Sequence, residues 1–282
     1  MKIIDGKAIS AKTKEELRLE VAALKEKGVS VGLAVIIVGD DPASRVYVNN
    51  KKKACELLGI YSEEYALPAD TNMESLLGLI EELNTRKDIN GILCQLPLPK
   101  HIDEKVILNS IDPAKDVDAF HPVNVGHIMI GDFTFLPCTP AGIMEMLKYY
   151  NISVSGKKCV VIGRSNIVGK PMAMLLLKEN GTVEICHSRT ANLKEETLSA
   201  DILVAAVGIA NFVTADMVKE GAVVIDVGIN RLPSGKLCGD VDFDNVSEKC
   251  SFITPVPGGA GPMTIAMLMA NTVTAAKKQN NL

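Results

Sequence analysis

Lys51 stands where a lysine can do proton chemistry. Asp41-Pro42 marks a helix start, with Asp as N-cap and Pro at the first helical position, and beyond it Tyr47, Lys51, Ala54 and Leu58 follow at i, i+4, i+7 and i+11. This spacing puts Tyr47 and Lys51 on one face with apolar neighbours, while Lys52 and Lys53 point elsewhere, into water. An ammonium drawn out of water is disfavoured, so its pKa falls toward the range in which it exchanges protons with substrate or water. The competing reading is snorkelling, with the stem on apolar surface and the charge in solvent. Spacing alone favours snorkelling, and other residues must decide.

Gly91-Ile92-Leu93-Cys94-Gln95-Leu96-Pro97-Leu98-Pro99 reads as a strand over 91–96 that runs into two prolines. Gln95 then lies at the carboxyl end of a buried strand, where open α/β sheets place their ligands. Lys115-Asp116-Val117-Asp118-Ala119-Phe120-His121-Pro122 sets two carboxylates on one side of an extended segment. Asp116, Asp118 and His121 are also metal-ligating types. No further His or acid cluster completes a set, so no metal is expected and Asp118 is read as orienting a substrate.

A second constellation is Val160-Val161-Ile162-Gly163-Arg164-Ser165-Asn166-Ile167-Val168-Gly169-Lys170-Pro171, a strand, a loop bounded by glycines, and a helix with Pro near its first turn. Such a loop lets backbone N–H groups and the helix dipole approach a phosphate. It is not the usual G-x-G-x-x-G, and an ordinary strand-to-helix turn is the rival. The following strand ends in Cys186-His187-Ser188-Arg189-Thr190, without the Asp or Glu that would hold a ribose hydroxyl. Arg164, Ser188 and Arg189 offer donors suited to a 2′-phosphate, although Arg189 alone reads equally well as a solvated loop residue. Together these features favour NADP.

The elements that position these residues follow an α/β pattern. Residues 31–38 form a β-branched, nearly continuous apolar run, the mark of a strand buried on both faces. Further strands at 61–67 and 91–96 alternate with helical patterns, as in βαβ units of a parallel sheet. A loop-rich stretch from Asp112 to Pro140 carries the domain boundary, with Thr139 as N-cap and Pro140 opening a linking helix. Four more buried strands, 158–162, 183–186, 202–207 and 223–227, with helices after Gly169 and around 214–219, outline a doubly wound nucleotide-binding domain. The last helix, 263–278, is apolar almost all round, ends in Lys277-Lys278, and should be largely buried.

Bulk properties exclude several classes. A formal charge of -4 with no basic run beyond Lys51-Lys52-Lys53 argues against nucleic acid. Seven scattered cysteines without a Cys-x-x-Cys pair argue against disulfide and zinc frameworks and for a reducing compartment. Met1-Lys2-Ile3-Ile4-Asp5-Gly6-Lys7 is no secretory signal, and no apolar run approaches the ~20 residues of a membrane span. The expected protein is soluble and cytoplasmic. Its 282 residues, 47% of them hydrophobic, suit two domains.

In their order, Tyr47 with Lys51, Gln95-Leu96-Pro97-Leu98-Pro99, Lys115-Asp116-Val117-Asp118, Pro137-Cys138-Thr139-Pro140, Gly163-Arg164-Ser165 through Pro171, Asp226-Val227-Gly228-Ile229-Asn230, Gly239-Asp240-Val241-Asp242 and Pro255-Val256-Pro257-Gly258-Gly259 resemble the signature of the methylenetetrahydrofolate dehydrogenase/cyclohydrolase family. The match spans nearly the whole chain. The resemblance implies two α/β domains, the second a Rossmann-like doubly wound parallel sheet, with an active-site cleft between them. It divides the chain into a folate-binding catalytic domain at 1–139, onto which the carboxyl-terminal helix at 262–282 packs back, and an NADP-binding domain at 140–261 that forms a homodimer. The implied activity is NADP-dependent oxidation of 5,10-methylenetetrahydrofolate and hydrolysis of the 5,10-methenyl product to 10-formyltetrahydrofolate, in one-carbon metabolism and purine biosynthesis.

The same resemblance assigns roles. Lys51 is the central catalytic group, Tyr47 stacks on or orients the folate ring, Gln95 tunes and positions Lys51, and Asp118 binds the pterin's donor edge. Pro257, Gly258 and Gly259 border the substrate. Gly163, Ser165, Ile167 and Gly169 carry the cofactor phosphates, Arg164 and Ser188 the 2′-phosphate, and Arg189 and Ile229 complete the cofactor site. Two positions depart from the family pattern: Ala119 stands where Gly usually follows the second Asp, and Ala260 where Val usually follows Gly-Gly. A side chain at 119 argues against a positive φ there. An NADP-dependent dehydrogenase of another small metabolite would leave Tyr47, Lys51 and Gln95 unexplained, whereas a non-catalytic NADP-binding regulator would tolerate them as core or surface.

Overall fold

The structure is a computed structural model that describes residues 1–282. In chain order it runs β1 (Lys2–Ile3), α1 (Gly6–Glu26), β2 (Gly32–Val38), α2 (Pro42–Leu58), β3 (Tyr61–Leu67), α3 (Met73–Thr85), β4 (Gly91–Cys94), α4 (Glu104–Ser110), α5 (Pro122–Ile130) and α6 (Cys138–Tyr149). It continues β5 (Lys158–Ile162), α7 (Gly169–Lys178), β6 (Thr182–Cys186), α8 (Leu193–Leu198), β7 (Ile202–Ala205), β8 (Val223–Asp226), β9 (Asn230–Arg231), β10 (Leu237–Cys238), α9 (Phe243–Ser247), β11 (Phe252–Ile253) and α10 (Ala260–Gln279). The chain divides into two compact units, Lys12–Cys138 with Ile265–Leu282, and Met1–Ala11 with Thr139–Thr264. No helix is long and apolar enough to cross a membrane.

The unit of residues 12–138 and 265–282 is built on a parallel sheet in the order β3-β2-β4. All seven residues of β2 are buried, as its unbroken apolar run requires. Ile36 and Ile92 from the sheet pack with Leu76, Ile80 and Leu83 of α3 and Ile107 of α4. The far end of α10 is fastened to this unit: Gln279 donates to the carbonyls of Asn90 and Ala114 at 2.9 and 3.0 Å, and Lys277 pairs with Glu20.

The other unit carries a six-stranded sheet, β1-β11-β8-β7-β5-β6, parallel throughout. Residues 1–11, read from sequence as part of the first domain, belong here because β1 adds to β11 through Lys2↔Phe252 and Ile3↔Ile253. A two-residue strand has no alternation to read, so its partner was not legible. β6 is an edge strand and only half-buried, not buried as its composition suggested. Around 214–219 there is a single short turn of 3₁₀ helix at Ala215–Met217 instead of a helix.

The stretch expected to be all loop contains α5, started by the His121 side chain accepting from Val123 N–H, with Pro122 in its first turn, and ended at Gly131 with φ 80°. Its outer face carries Met129 and Ile130, 69% and 74% exposed, so no apolar-to-polar period marked it as a helix. Helix α6 begins at Cys138, and Thr139, expected as N-cap, instead shares a hydrogen bond of 2.9 Å with Thr264.

Ala119 overturns the backbone expectation, for it is fully buried with φ 58°. For an L-residue that conformation costs about 1–2 kcal/mol. Replacing Ala119 by Gly should relieve this, offsetting the roughly 1–2 kcal/mol of lost methyl burial and added chain entropy. The expected result is a melting temperature close to that of the parent, while Ala276→Gly, at a fully buried position of α10, lowers it. Equal losses at both sites would contradict the strain at residue 119.

Candidate active site

The Asp41 carboxylate accepts from Ser44 N–H at 2.8 Å, Pro42 opens α2, and Gly59 closes it in the left-handed conformation at φ 74°. This fixes which face turns inward: Val48, Lys51, Ala54, Cys55 and Leu58 are buried, and Lys52 and Lys53 are exposed. Lys51 does not snorkel. It is 8% exposed, and its Nζ donates to Gln95 Oε1 at 2.8 Å. Gln95 lies just past β4, and its own Nε2 donates to the Leu96 carbonyl at 2.7 Å, so the carboxamide can present only its oxygen to the amine. Tyr47 sits one turn before Lys51, half-buried, and burial raises its phenol pKa.

Asp118 completes the cluster. Burial is the main cause that raises its carboxyl to about 6, with Lys51 pulling down and Asp116 pushing up. Burial likewise draws the Lys51 ammonium below the ordinary lysine value, against the opposing pull of Asp118 and then Cys138. The Cys138 thiol lies 3.7 Å from Asp118 Oδ1 and 3.6 Å from the Val117 carbonyl, and burial pushes its pKa well up. Burial thus holds each member toward its uncharged form, so that Lys51 and Asp118 meet as partners in proton sharing more than as a fixed ion pair.

Asp116 and His121 are used otherwise. Asp116 Oδ2 accepts from His121 N–H and Asn124 Nδ2, both at 2.8 Å, and so anchors the start of α5. No three His, Cys, Asp or Glu side chains are grouped to hold a metal ion.

Cys138 and Asn271 were not foreseen as members of this neighbourhood. Asn271 Nδ2 donates at 2.8 Å to the carbonyls of both Val117 and Leu136, tying together the segments that carry Asp118 and Cys138. The available signal was a lone Asn in the middle of an otherwise apolar helix, a residue that must find partners when buried.

In the other unit, the candidate nucleotide loop leaves β5 at Gly163, whose φ is 131° and whose N–H donates to the Cys186 carbonyl at 2.8 Å. A Cβ at Gly163 would strike the Ala206 carbonyl, and one at Gly169 the Gly163 carbonyl, so both positions demand glycine. Ser165 Oγ accepts from the N–H groups of Val168 and Gly169 at 3.1 and 3.3 Å and holds the entry to α7. Arg164, Ile167, Ser188 and Arg189 are exposed beside or beyond this turn, and Ile229, after β8, is 46% exposed. Glu184, the acid of β6, is engaged with Lys158 at 3.2 Å. Pro257 is exposed, while Gly258 and Gly259 are buried, with the Gly258 carbonyl accepting from Lys7 N–H at 3.1 Å.

Comparison with known families gives two matches in tandem: the catalytic domain of tetrahydrofolate dehydrogenase/cyclohydrolase over residues 4–118, and its NAD(P)-binding domain over residues 137–280. The chain belongs to the tetrahydrofolate dehydrogenase/cyclohydrolase family. Within this family it is 63% identical over 278 residues to the bifunctional protein FolD of Acetivibrio thermocellus, covering 99% of this chain and 98% of that protein. The crystal structure of the bifunctional FolD methylenetetrahydrofolate dehydrogenase/cyclohydrolase of Campylobacter jejuni superposes with a TM-score of 0.98 at 55% identity, each chain covered in full at 100%. The Trypanosoma brucei family member, solved with NADP cofactor and an inhibitor, gives 0.95 at 39% identity over 99% of this chain and 98% of that one.

Proposed function

We infer that the chain oxidises 5,10-methylenetetrahydrofolate with NADP and hydrolyses the 5,10-methenyl product to 10-formyltetrahydrofolate. The observation that carries this reading is the buried Lys51 amine held by the Gln95 carboxamide beside Asp118, in a chain matched by both domains of the family.

The nucleotide loop fits the cofactor. Its two glycines let the turn close on backbone carbonyls that any Cβ would strike, the exposed Arg164, Ser188 and Arg189 supply donors for a 2′-phosphate, and the Glu184 carboxylate is held by Lys158. Bound NADP supplies the hydride acceptor. Arg164→Ala should therefore weaken NADP binding on the order of tenfold or more while leaving NAD nearly unaffected, because only the 2′-phosphate loses a charge-assisted partner. Titration of the variant with each dinucleotide decides this, and equal losses would remove the basis for assigning the 2′-phosphate to Arg164.

The two steps ask different things of the protein. Hydride departure from the methylene carbon requires orientation and exclusion of water more than an acid or base, and Tyr47 and Asp118 orient the folate ring, with Pro257, Gly258 and Gly259 along the substrate. Hydrolysis requires proton movement. Lys51 takes a proton from the water that attacks the methenyl carbon, and the carbon–nitrogen bond to the ring then breaks as that nitrogen is protonated. Gln95 keeps the amine aimed and admits no charge that would hold the cationic substrate in place.

We further place the enzyme in the cytoplasm on the strength of seven free cysteines, all but Cys238 buried, and, from its family and substrate, in one-carbon metabolism that feeds purine biosynthesis. It assembles as a homodimer through the nucleotide-binding unit, whose sheet ends in the half-buried edge strand β6. Light scattering of the purified protein at twice the chain mass supports the dimer, and a monomer at micromolar concentration removes it. The functional reading itself is tested by supplying 5,10-methylenetetrahydrofolate with NADP, and in a separate reaction the methenyl compound without NADP. Turnover in both is expected, and turnover in neither leaves a binding protein.

A further inference from the structure

Two motifs of the nucleotide-binding unit, Asp226-Val227-Gly228-Ile229-Asn230 and Gly239-Asp240-Val241-Asp242, each bury a carboxylate. They close on one another at the carboxyl ends of β7 and β8, where open α/β sheets bind their ligands. Asp226 is 3% exposed and Asp240 is fully buried. Asp226 Oδ1 accepts from the N–H groups of Gly228 and Asp240 at 3.0 and 2.9 Å, and Oδ2 from that of Val241 at 2.9 Å. Asp240 Oδ2 accepts from the N–H groups of Val207 and Gly208 at 2.7 and 2.9 Å, while Oδ1 takes the Asn230 side-chain N–H at 2.9 Å.

The packing leaves no slack. A Cβ at Gly228 would collide with the Asp240 carboxylate, and one at Gly239 with the Asp226 carboxylate. Between the motifs, β9 and β10 pair antiparallel, with Asn230 opposite Cys238, so the carboxylates lock the base of a hairpin. A hairpin base needs no buried charge, and two carboxylates are costly to bury unless every acceptor is used. What they fix is the backbone on both sides of Ile229, which projects 46% exposed and reaches within 3.5 Å of where a Cβ on Gly261 would stand, at the first turn of α10.

We propose that Asp240 and Asn230 form a positioning pair that sets Ile229 against the reactive end of the cofactor, and so governs hydride transfer and not hydrolysis. This rests on the two-step reading above. The pair acts through the loop backbone. Its contribution is therefore to the rate of oxidation at saturating NADP, since the groups assigned to the cofactor phosphates lie on the separate loops after β5 and β6.

The test uses a reciprocal exchange in the full-length protein. Asn230→Asp sets two carboxylates face to face where one donor met one acceptor, and should lower the oxidation kcat about tenfold or more. Hydrolysis of the methenyl compound without NADP should stay within about twofold, because that step involves none of these groups. Combining Asn230→Asp with Asp240→Asn restores a donor facing an acceptor while leaving an oxygen for the Val207 and Gly208 N–H groups. Oxidation should then recover to within about threefold of wild type. Asn230→Ala, which removes the donor without adding charge, should lower oxidation alone and carries the test if Asn230→Asp does not fold. Parallel loss of both activities, absence of recovery in the double variant, or wild-type oxidation in both single variants at 230 would each overturn the proposal. A wild-type protein that fails to reduce NADP would instead overturn the functional reading, before any variant is compared.

Discussion

Lys51→Met is expected to lower methenyl hydrolysis by about 10²–10⁴-fold, the usual worth of a positioned proton-transfer group, while part of the oxidation survives. Methionine keeps a long unbranched stem in the buried site and removes the amine that Gln95 holds at 2.8 Å. Oxidation should fall less, because hydride transfer calls on geometry and the variant changes mainly a proton acceptor. The wild-type hydrolysis rate should also rise with pH as the amine loses its proton, at a pH below that of a free lysine, since burial has lowered its pKa. Following decay of the methenyl absorbance over a pH series checks both statements. Hydrolysis at the wild-type rate in a folded Lys51→Met protein would leave the lysine a structural residue only.

Asp118→Asn is expected to weaken folate binding about tenfold or beyond with NADP binding intact. An ionised carboxylate accepts two parallel N–H bonds from the amino-pyrimidine edge of the pterin, and Asn turns one acceptor into a donor that faces a donor, a mismatch of about 1–3 kcal/mol when buried. The carboxyl stands at about 6 through burial, so in the wild type folate affinity should fall as pH drops through that value, and the variant should lack this limb. Stability moves the other way. A carboxyl whose folded pKa is raised releases its proton more readily when unfolded, so its stabilising contribution is present at low pH and is lost as pH rises through about 6. At neutral pH Asp118→Asn should therefore melt higher than wild type, giving up binding while gaining stability. Calorimetric folate titration and melting at two pH values provide the check. Unchanged affinity together with sensitivity of the wild type to chelator would instead make Asp118 a metal ligand.

How much of this could be read beforehand depended on the range of the interaction. Asp41-Pro42, the inward Lys51 and the buried run of β2 were legible because caps and periodicity are written within a few residues. Gln95 was placed at a strand end for the same reason, but its bond to Lys51 spans 44 residues and no local pattern encodes it. Cys138 and Asn271 come to the Asp118 segment from 20 and 154 residues away, through contacts that only the folded chain makes. Helix α5 escaped because its exposed face is apolar, and residues 1–11 because the two residues of β1 carry no alternation to read. Ala119 shows the opposite case, in which a local rule about positive φ was sound and the surrounding fold overrode it.

On the proposed mechanism one chain carries out both steps, with Lys51 needed chiefly for the second. The measurement that bears on it most directly is a time course of purified protein with 5,10-methylenetetrahydrofolate and NADP, recording reduced cofactor, methenyl compound and 10-formyl product together. In the wild type, reduced cofactor and 10-formyl product should rise in equal amounts with the methenyl compound staying low. In Lys51→Met the methenyl compound should account for nearly all of the reduced cofactor formed. Reduction of NADP without any 10-formyl product in the wild type, or equal slowing of both steps in the variant, would contradict the account.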